Sequence, residues 1–122
     1  MKKQADSSKI ADIAIEAIQE KKGNDIVKID LREVGKSISD FFIICHADST
    51  MQVSTIAEYV EKHLRKSIKE HVWHKEGTEN NQWVLLDYVD VVVHVFQSEY
   101  RSFYDLENLW SDAKIARIEY SY

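Results

Sequence analysis

The stretch from Trp83 to Phe96 constrains the fold more than any other part of the chain. It consists mainly of valine, leucine and aromatic residues, which pack well on a pleated surface. Polar residues interrupt it at Asp87, Tyr88 and Asp90, where the backbone can reverse. We therefore predict two antiparallel strands, 83–87 and 90–96, joined by a tight turn. Both faces of each strand are apolar, so this sheet must be covered on both sides, by the chain itself or by a partner.

The other elements follow from the spacing of apolar residues and from capping signals. Ser49-Thr50-Met51-Gln52 fits a capping box, and Gly23-Asn24 fits a helix end. Ser98 is the expected cap of the last helix. The predicted helices cover 8–22, 50–69 and 98–110, and the further predicted strands cover 27–31, 41–45 and 71–75.

This order of elements predicts an α/β fold with a mixed β-sheet of about five strands, two main helices and a short C-terminal helix. At 122 residues the chain is expected to form one domain over 1–122. Residues 1–6 are expected to be loose, and 115–122 either to be loose or to add an edge strand. Three helices cannot cover both faces of the sheet, so apolar surface should remain for a partner, most simply a second copy of the chain.

Composition excludes several classes of protein. A net charge of −5 argues against affinity for nucleic acid that depends mainly on phosphate contacts, so little direct nucleic-acid contact is expected. Cys45 is the only cysteine, which rules out an intrachain disulfide and favours a buried, inert thiol. No apolar run is long enough for a membrane span or a signal peptide. We expect a cytosolic protein with no membrane contact.

Asp87 and Asp90 are the residues that most invite a catalytic interpretation, because paired carboxylates hold Mg²⁺ or share a proton. Acidic residues in turns more often bond their own backbone. His94 stands among valines, where a histidine is usually hydrogen-bonded in place. No phosphate-binding glycine loop precedes the acidic pair. A nucleotidyltransferase-like enzyme that uses Asp87, Asp90 and His94 remains the alternative to a binding protein.

Several large side chains are of the types enriched in protein interfaces. These types are also common in protein cores, so composition leaves the choice between interface and core open. The residues are Trp83, Tyr88, Arg101, Tyr104 and Trp110.

The segments Trp83–Tyr88 and Asp90–Phe96 together resemble the signature of the ribosomal silencing factor family, also called Iojap-like proteins. The resemblance continues through the C-terminal segment and covers nearly the whole chain. Its further matching positions are Arg101, Phe103-Tyr104, Leu106-Glu107 and Leu109-Trp110, preceded by Lys28–Leu31, Ser39–Ile44, Gln52-Val53 and Glu76-Gly77.

This resemblance implies a cytosolic, non-enzymatic factor that binds the large ribosomal subunit through its protein fourteen. Bound there, such a factor blocks joining of the small subunit and lowers translation when nutrients are scarce; a role in large-subunit maturation is also implied. The implied fold resembles nucleotidyltransferases without their catalytic residues, and no cofactor is implied. The predicted partner-binding residues are Trp83, Leu85, Asp87, Tyr88, Asp90, His94, Arg101 and Tyr104.

Val89 departs from the family pattern, which has glycine between Tyr88 and Asp90. A β-branched residue at positive φ is strained by about 1–2 kcal/mol. The sequence therefore predicts a wider turn, or one with a bulge, at this position.

Overall fold

The computed structural model describes residues 6–35 and 39–119. The expectations for 1–5, 36–38 and 120–122 fall outside these residues. The helices are α1 (Ser7–Glu20), α2 (Thr50–Ile68), α3 (Ser98–Tyr104) and α4 (Leu106–Leu109). The strands are β1 (Asn24–Asp30), β2 (Phe41–Ala47), β3 (His74–Glu76), β4 (Trp83–Asp87), β5 (Val91–Gln97) and β6 (Lys114–Arg117).

The six strands form one mixed sheet in the order β3-β4-β5-β2-β1-β6. The predicted hairpin β4–β5 is present, and β5 also pairs in parallel with β2. A parallel pair needs a long crossover connection, which α2, β3 and β4 supply here. Val91 to Phe96 are all buried, as expected for a central strand covered on both faces. The predicted α/β class is confirmed, with one strand more than expected.

Helices α1 and α2 cover one face of the sheet. Six residues of α1 and five of α2 are buried there, at the spacing of a single helix face. They pack against alternate residues of the central strands, among them Ile43, Val84 and Val93. Ser49 caps α2, since its Oγ accepts a hydrogen bond from the Gln52 amide at 3.1 Å, as the capping box predicts.

The C-terminal segment differs from the single amphipathic helix that the sequence suggests. The helix breaks at Asp105, where φ is 45°, so that α3 ends and the short α4 begins in a new direction. The predicted cap at Ser98 is wrong, because Gln97 occupies the N-cap position and its side chain makes no capping hydrogen bond. The following residues 114–117 form the edge strand β6 beside β1, so they are not loose.

The sheet-face groove

The second face of the sheet carries the side chains that alternate with those beneath α1 and α2. Cross-strand pairing places Leu85 opposite His94 and Asp87 opposite Val92. On the other side of β5, Phe42 of β2 lies opposite Val92. This alternation follows directly from the two-residue period of a strand. Three of the predicted partner-binding residues, Leu85, Asp87 and His94, thus share one face.

The C-terminal segment covers only one end of this second face. Leu106 is buried there, with Tyr100 and Trp110 packed around it. The ring of Tyr104 lies over Trp83, with 4.5 Å between their centroids. Trp110 meets Phe42 edge to face, with centroids 5.7 Å apart. Trp83 and Tyr104, both predicted to bind a partner, therefore pack against each other on this face.

The uncovered end is a cavity of about 360 Å³, which we call the sheet-face groove. Its lining is mainly apolar, with one carboxylate. The side chain of Trp73 is 72% exposed, and that of Val89 is 47% exposed. The lining residues are Ser39, Phe42, Trp73, Leu85, Asp87, Val89, Val92 and His94.

His94 forms the part of the groove lining nearest to Trp83. The indole Nε1–H of Trp83 donates a hydrogen bond to Nδ1 of His94 at 3.1 Å. An indole nitrogen can only donate, so Nδ1 accepts and the proton of the neutral ring is on Nε2. Burial lowers the pKa of His94 to about 3. The ring is therefore neutral at physiological pH and orients Trp83, which makes it a positioning group within the sheet rather than an acid.

The turn between β4 and β5 is tighter than the sequence analysis predicted. The Asp90 amide donates to the Tyr88 carbonyl at 2.9 Å, which makes a γ-turn centred on Val89 with φ of 74°. The prediction of a wider or bulged turn is wrong. The turn is held by the Val89 amide donating to the Asp87 carboxylate at 2.7 Å, and by the Ser39 hydroxyl donating to the Val89 carbonyl at 3.0 Å. These bonds offset the strain of a β-branched residue at positive φ.

The two turn carboxylates lie in different environments. Asp87 is occupied as an acceptor within the turn. Asp90 is half-buried, and burial together with the neighbouring Asp40 carboxylate raises its pKa. Across the described ranges 6–35 and 39–119, no group of three or more His, Cys, Asp or Glu side chains is placed to hold a metal ion. Asp87 therefore stabilises the turn through its carboxylate and also presents negative charge to the groove.

Tyr88 and Arg101 do not lie at the groove. The side chain of Tyr88 is 1% exposed and continues the series of Val84 and Leu86 beneath the helices, where burial raises its pKa. The interpretation of Tyr88 as partner-binding surface is therefore wrong. Arg101 is 8% exposed, so its side chain too has little surface with which to contact a partner.

Arg101 connects α3 to the far end of the sheet. Its guanidinium donates to the Asp25 carbonyl at 2.6 Å and lies 2.9 Å from Nδ1 of His46. It also pairs with the Glu107 carboxylate at 3.2 Å. Arg101 thus holds the C-terminal segment in place over the covered end of the second face.

Trp73 is the main groove residue that the sequence analysis missed. It precedes β3, and its amide donates to the Asp87 carbonyl at 2.8 Å, which extends the β3–β4 pairing. The neighbouring Val72 packs into the helix-covered core. In extended chain, successive side chains point to opposite faces. The apolar Val72 followed by Trp73 was therefore the signal that placed Trp73 on the second face.

The fold and the groove define an α/β domain with a partly uncovered sheet. A family model described as "Ribosomal silencing factor during starvation" matches residues 4–121. The chain belongs to this ribosomal silencing factor family, which confirms the resemblance seen in the sequence. No helix of the described residues is long and apolar enough to cross a membrane.

Individual relatives agree with this assignment. The chain is 37% identical to "Ribosomal silencing factor RsfS" of Halalkalibacterium halodurans, over 93% of this chain and 95% of the relative. A crystal structure of a protein from Chromobacterium violaceum aligns with a TM-score of 0.82 and 36% identity, over 88% of each chain. "Mitochondrial assembly of ribosomal large subunit protein 1" of Mus musculus is 26% identical, over 88% of this chain and 49% of the relative.

The strained turn gives a first prediction. Val89→Gly should stabilise the chain by about 0.5–1 kcal/mol, because the relief of positive-φ strain exceeds the extra backbone entropy that glycine loses on folding. The melting temperature should rise by about 3 °C in differential scanning calorimetry. Val72→Gly is the matched control, since Val72 is half-buried and does not have positive φ, and it should destabilise. An unchanged or lower melting temperature for Val89→Gly would show that Val89 is not strained.

His94 gives a prediction for pH dependence. Its folded-state pKa of about 3 lies below the ordinary value of 6.5, so the unfolded chain takes up the proton first as pH falls. Stability from neutral His94 is thus present above pH 6.5 and is lost on acidification towards pH 3. Between pH 7 and pH 5 the free energy of unfolding should fall by about 2 kcal/mol through this residue.

Urea denaturation of the wild type and of His94→Gln at the two pH values tests this. Glutamine keeps an acceptor for the Trp83 indole but does not titrate, so the variant should lose less stability on acidification. If both chains lose the same free energy, then His94 is not held neutral by burial.

Proposed function

We propose that this chain binds the large ribosomal subunit in the cytosol through the subunit's protein fourteen and sterically blocks joining of the small subunit. In this account it lowers translation when nutrients are limiting. The observation that carries the proposal is the sheet-face groove, an apolar end of the second sheet face that α3 and α4 leave uncovered.

Membership of the ribosomal silencing factor family supports an action on the ribosome. The printed name of the mouse relative concerns assembly of the large ribosomal subunit, which favours that subunit as the target. Contact with protein fourteen and the block of subunit joining are what the family resemblance implies, and the groove supplies a surface on which such contact can occur.

The groove has the chemistry of a protein-docking site. Its floor is formed by Phe42, Leu85 and Val92, which a partner side chain can cover without leaving a polar group unpaired. Trp73 stands at the rim and is largely exposed, and Trp is among the residues that most often dominate binding energy. Burial of one such large side chain contributes about 1.5–3 kcal/mol.

The charge at the groove favours a basic partner segment. Asp87 is the acidic residue of the lining, and Asp90 lies on the adjoining turn. The chain as a whole carries −5. Complementary charge mainly speeds association and fixes orientation, whereas apolar contact provides most of the affinity. A basic loop with one or two apolar side chains would therefore suit the groove.

Steric occlusion requires no chemistry from the chain. A folded domain of 14.3 kDa held on the joining face of one subunit would occupy space that the other subunit needs. His94 is neutral and Asp87 is engaged in the turn, so neither side chain is arranged for the nucleotidyl transfer considered as the alternative. The same groove is also where a second copy of the chain would compete with the ribosome.

Trp73→Ala tests the proposal, because this side chain is exposed and its removal should leave stability unchanged. We expect cosedimentation with large subunits to weaken by at least about tenfold in Kd, as for an interface hot spot. Met51→Ala, which removes a side chain 79% exposed on the helix layer, is the matched control and should bind like the wild type. Trp83→Ala is less suitable, since Trp83 supports both His94 and Tyr104.

Asp87→Asn separates charge from structure at the same site. The amide oxygen can still accept from the Val89 amide, so the turn should persist while the negative charge is lost. We expect a smaller loss of affinity than for Trp73→Ala and a weaker dependence on salt. Wild-type affinity for large subunits after Trp73→Ala, or a wild-type chain that does not cosediment with them, would contradict the proposal.

A further inference from the structure

The C-terminal segment formed by α3 and α4 depends on the sheet for its structure. Helix α3 has seven residues and α4 has four. Neither helix has a side-chain hydrogen bond at its N-cap, and Asp105, in left-handed conformation, separates them. Helices this short are not stable in water by themselves. The two helices therefore stay folded only while their contacts with the sheet persist.

Arg101 provides a polar connection between this segment and the sheet. Its buried guanidinium donates through Nη1 to the Asp25 carbonyl at 2.6 Å. The same nitrogen lies 2.9 Å from Nδ1 of His46, near the end of β2. Nη2 donates to the Glu107 carboxylate at 3.2 Å, which joins α3 to α4. One side chain thus links both short helices to β1 and β2.

His46 can take part in this contact only as a neutral ring. A guanidinium donates and does not accept, so Nδ1 of His46 is the acceptor and the ring proton lies on Nε2. A proton on Nδ1 would remove the acceptor and place a second positive charge against the Arg101 guanidinium. The partner of Arg101 at this point is therefore the one type of side chain that ordinarily changes charge near neutral pH.

Charged groups from several elements surround the His46 ring. Burial lowers the pKa of His46 below its ordinary value of 6.5, and the positive charge of Arg101 lowers it further. Nearby carboxylates act in the opposite direction but do not outweigh these two effects. The groups that face the ring or line the same cavity are Asp25 on β1, Asp48 after β2, Arg101 on α3, Asp105 between the helices, Glu107 on α4 and Arg117 on β6.

We propose that the contact between Arg101 and His46 is an acid-sensitive switch, which releases α3 and α4 from the second face of the sheet when His46 binds a proton. In the open form the ring is exposed and binds the proton at its ordinary pKa. The closed form keeps its full stability above pH 6.5 and loses stability as the pH falls below that value. Each pH unit below 6.5 favours the open form about tenfold, until the closed form also binds the proton.

Opening would uncover apolar surface beside the sheet-face groove. Tyr104 would leave Trp83, and Trp110 would leave Phe42, which lines the groove. The groove would then continue along the part of the face that Leu106 covers in the closed form. The switch does not depend on what the groove binds, so it can be tested on the free chain.

His94 differs from His46 in what its titration controls. Nδ1 of His94 accepts from Trp83 on the neighbouring strand β4, so this bond lies within the sheet. Protonation of His94 weakens the whole fold, whereas His46 connects the sheet to a segment that can detach. Hydrogen exchange distinguishes the two, because local opening exposes only the amides of the detached segment.

Hydrogen–deuterium exchange of the full chain, followed by mass spectrometry at about pH 7.5 and about pH 5.5, tests the switch. Both values lie above the range in which carboxyl groups ordinarily titrate. After correction for intrinsic exchange rates, protection of residues 98–113 should fall about tenfold at the lower pH. His46→Asn keeps an acceptor at the δ position but does not titrate, so its protection should stay nearly constant. Arg101→Met should leave the segment weakly protected at both pH values.

His71→Asn makes the same change at an exposed histidine and is the matched control, which should behave like the wild type. His94→Gln should also keep the tenfold fall in residues 98–113. Constant protection of this segment in the wild type would mean that the His46 ring moves out alone, and the proposal would be wrong. An equal fall in the wild type and His46→Asn, or a fall that His94→Gln abolishes, would also overturn it.

Discussion

The rest of the structure depends on how the two faces of the central strand pair, β2 and β5, are covered. Both strands are apolar on both sides, so exposing either face to water would be unfavourable. Helices α1 and α2 cover one face completely. On the other face, the short C-terminal segment packs over Trp83 through Tyr104 and reaches Phe42 at the edge of the groove through Trp110. The remaining end is the sheet-face groove, and the position of the proposed docking site follows from the short length of that segment.

Energetically unfavourable features are concentrated around this groove. Val89 adopts positive φ although it is β-branched. His94 is buried in neutral form, and within the described residues its Nε2 atom has no hydrogen-bond partner. Trp73 leaves a large apolar side chain in water. Strain and incomplete satisfaction of this kind tend to occur at functional sites, where a partner or a mechanism compensates for them. Their proximity supports the view that the groove is used.

Local patterns in the sequence predicted much of the fold. The alternating and continuous apolar runs gave β1, β2 and the β4–β5 hairpin, and Ser49 gave the start of α2, because these features depend on neighbouring residues. The break at Asp105 was missed, because no glycine or proline marks it. The role of Arg101 depends on Asp25 and His46, which are distant in sequence and brought close only by folding.

The candidate site was predicted in part, and the errors have physical causes. Leu85, Asp87 and His94, which the sequence analysis named as partner-binding, share one face in the structure, because strand alternation fixes their direction. Tyr88 was grouped with them as a turn residue, although the alternation of Val84 and Leu86 continues through it and directs it beneath the helices. Trp73 lay within the predicted strand 71–75 and was overlooked because the sequence does not show which strand this segment pairs with. Its place at the groove depends on pairing with β4.

Hydroxyl-radical footprinting of the chain on and off the large ribosomal subunit tests the central claim most directly. The account predicts that Trp73, now 72% exposed, becomes strongly protected in the bound state. Met51, 79% exposed on the helix layer, should be labelled to the same extent in both states. Equal labelling of Trp73 in the free and the subunit-bound chain would show that the uncovered end of the sheet is not the surface that docks.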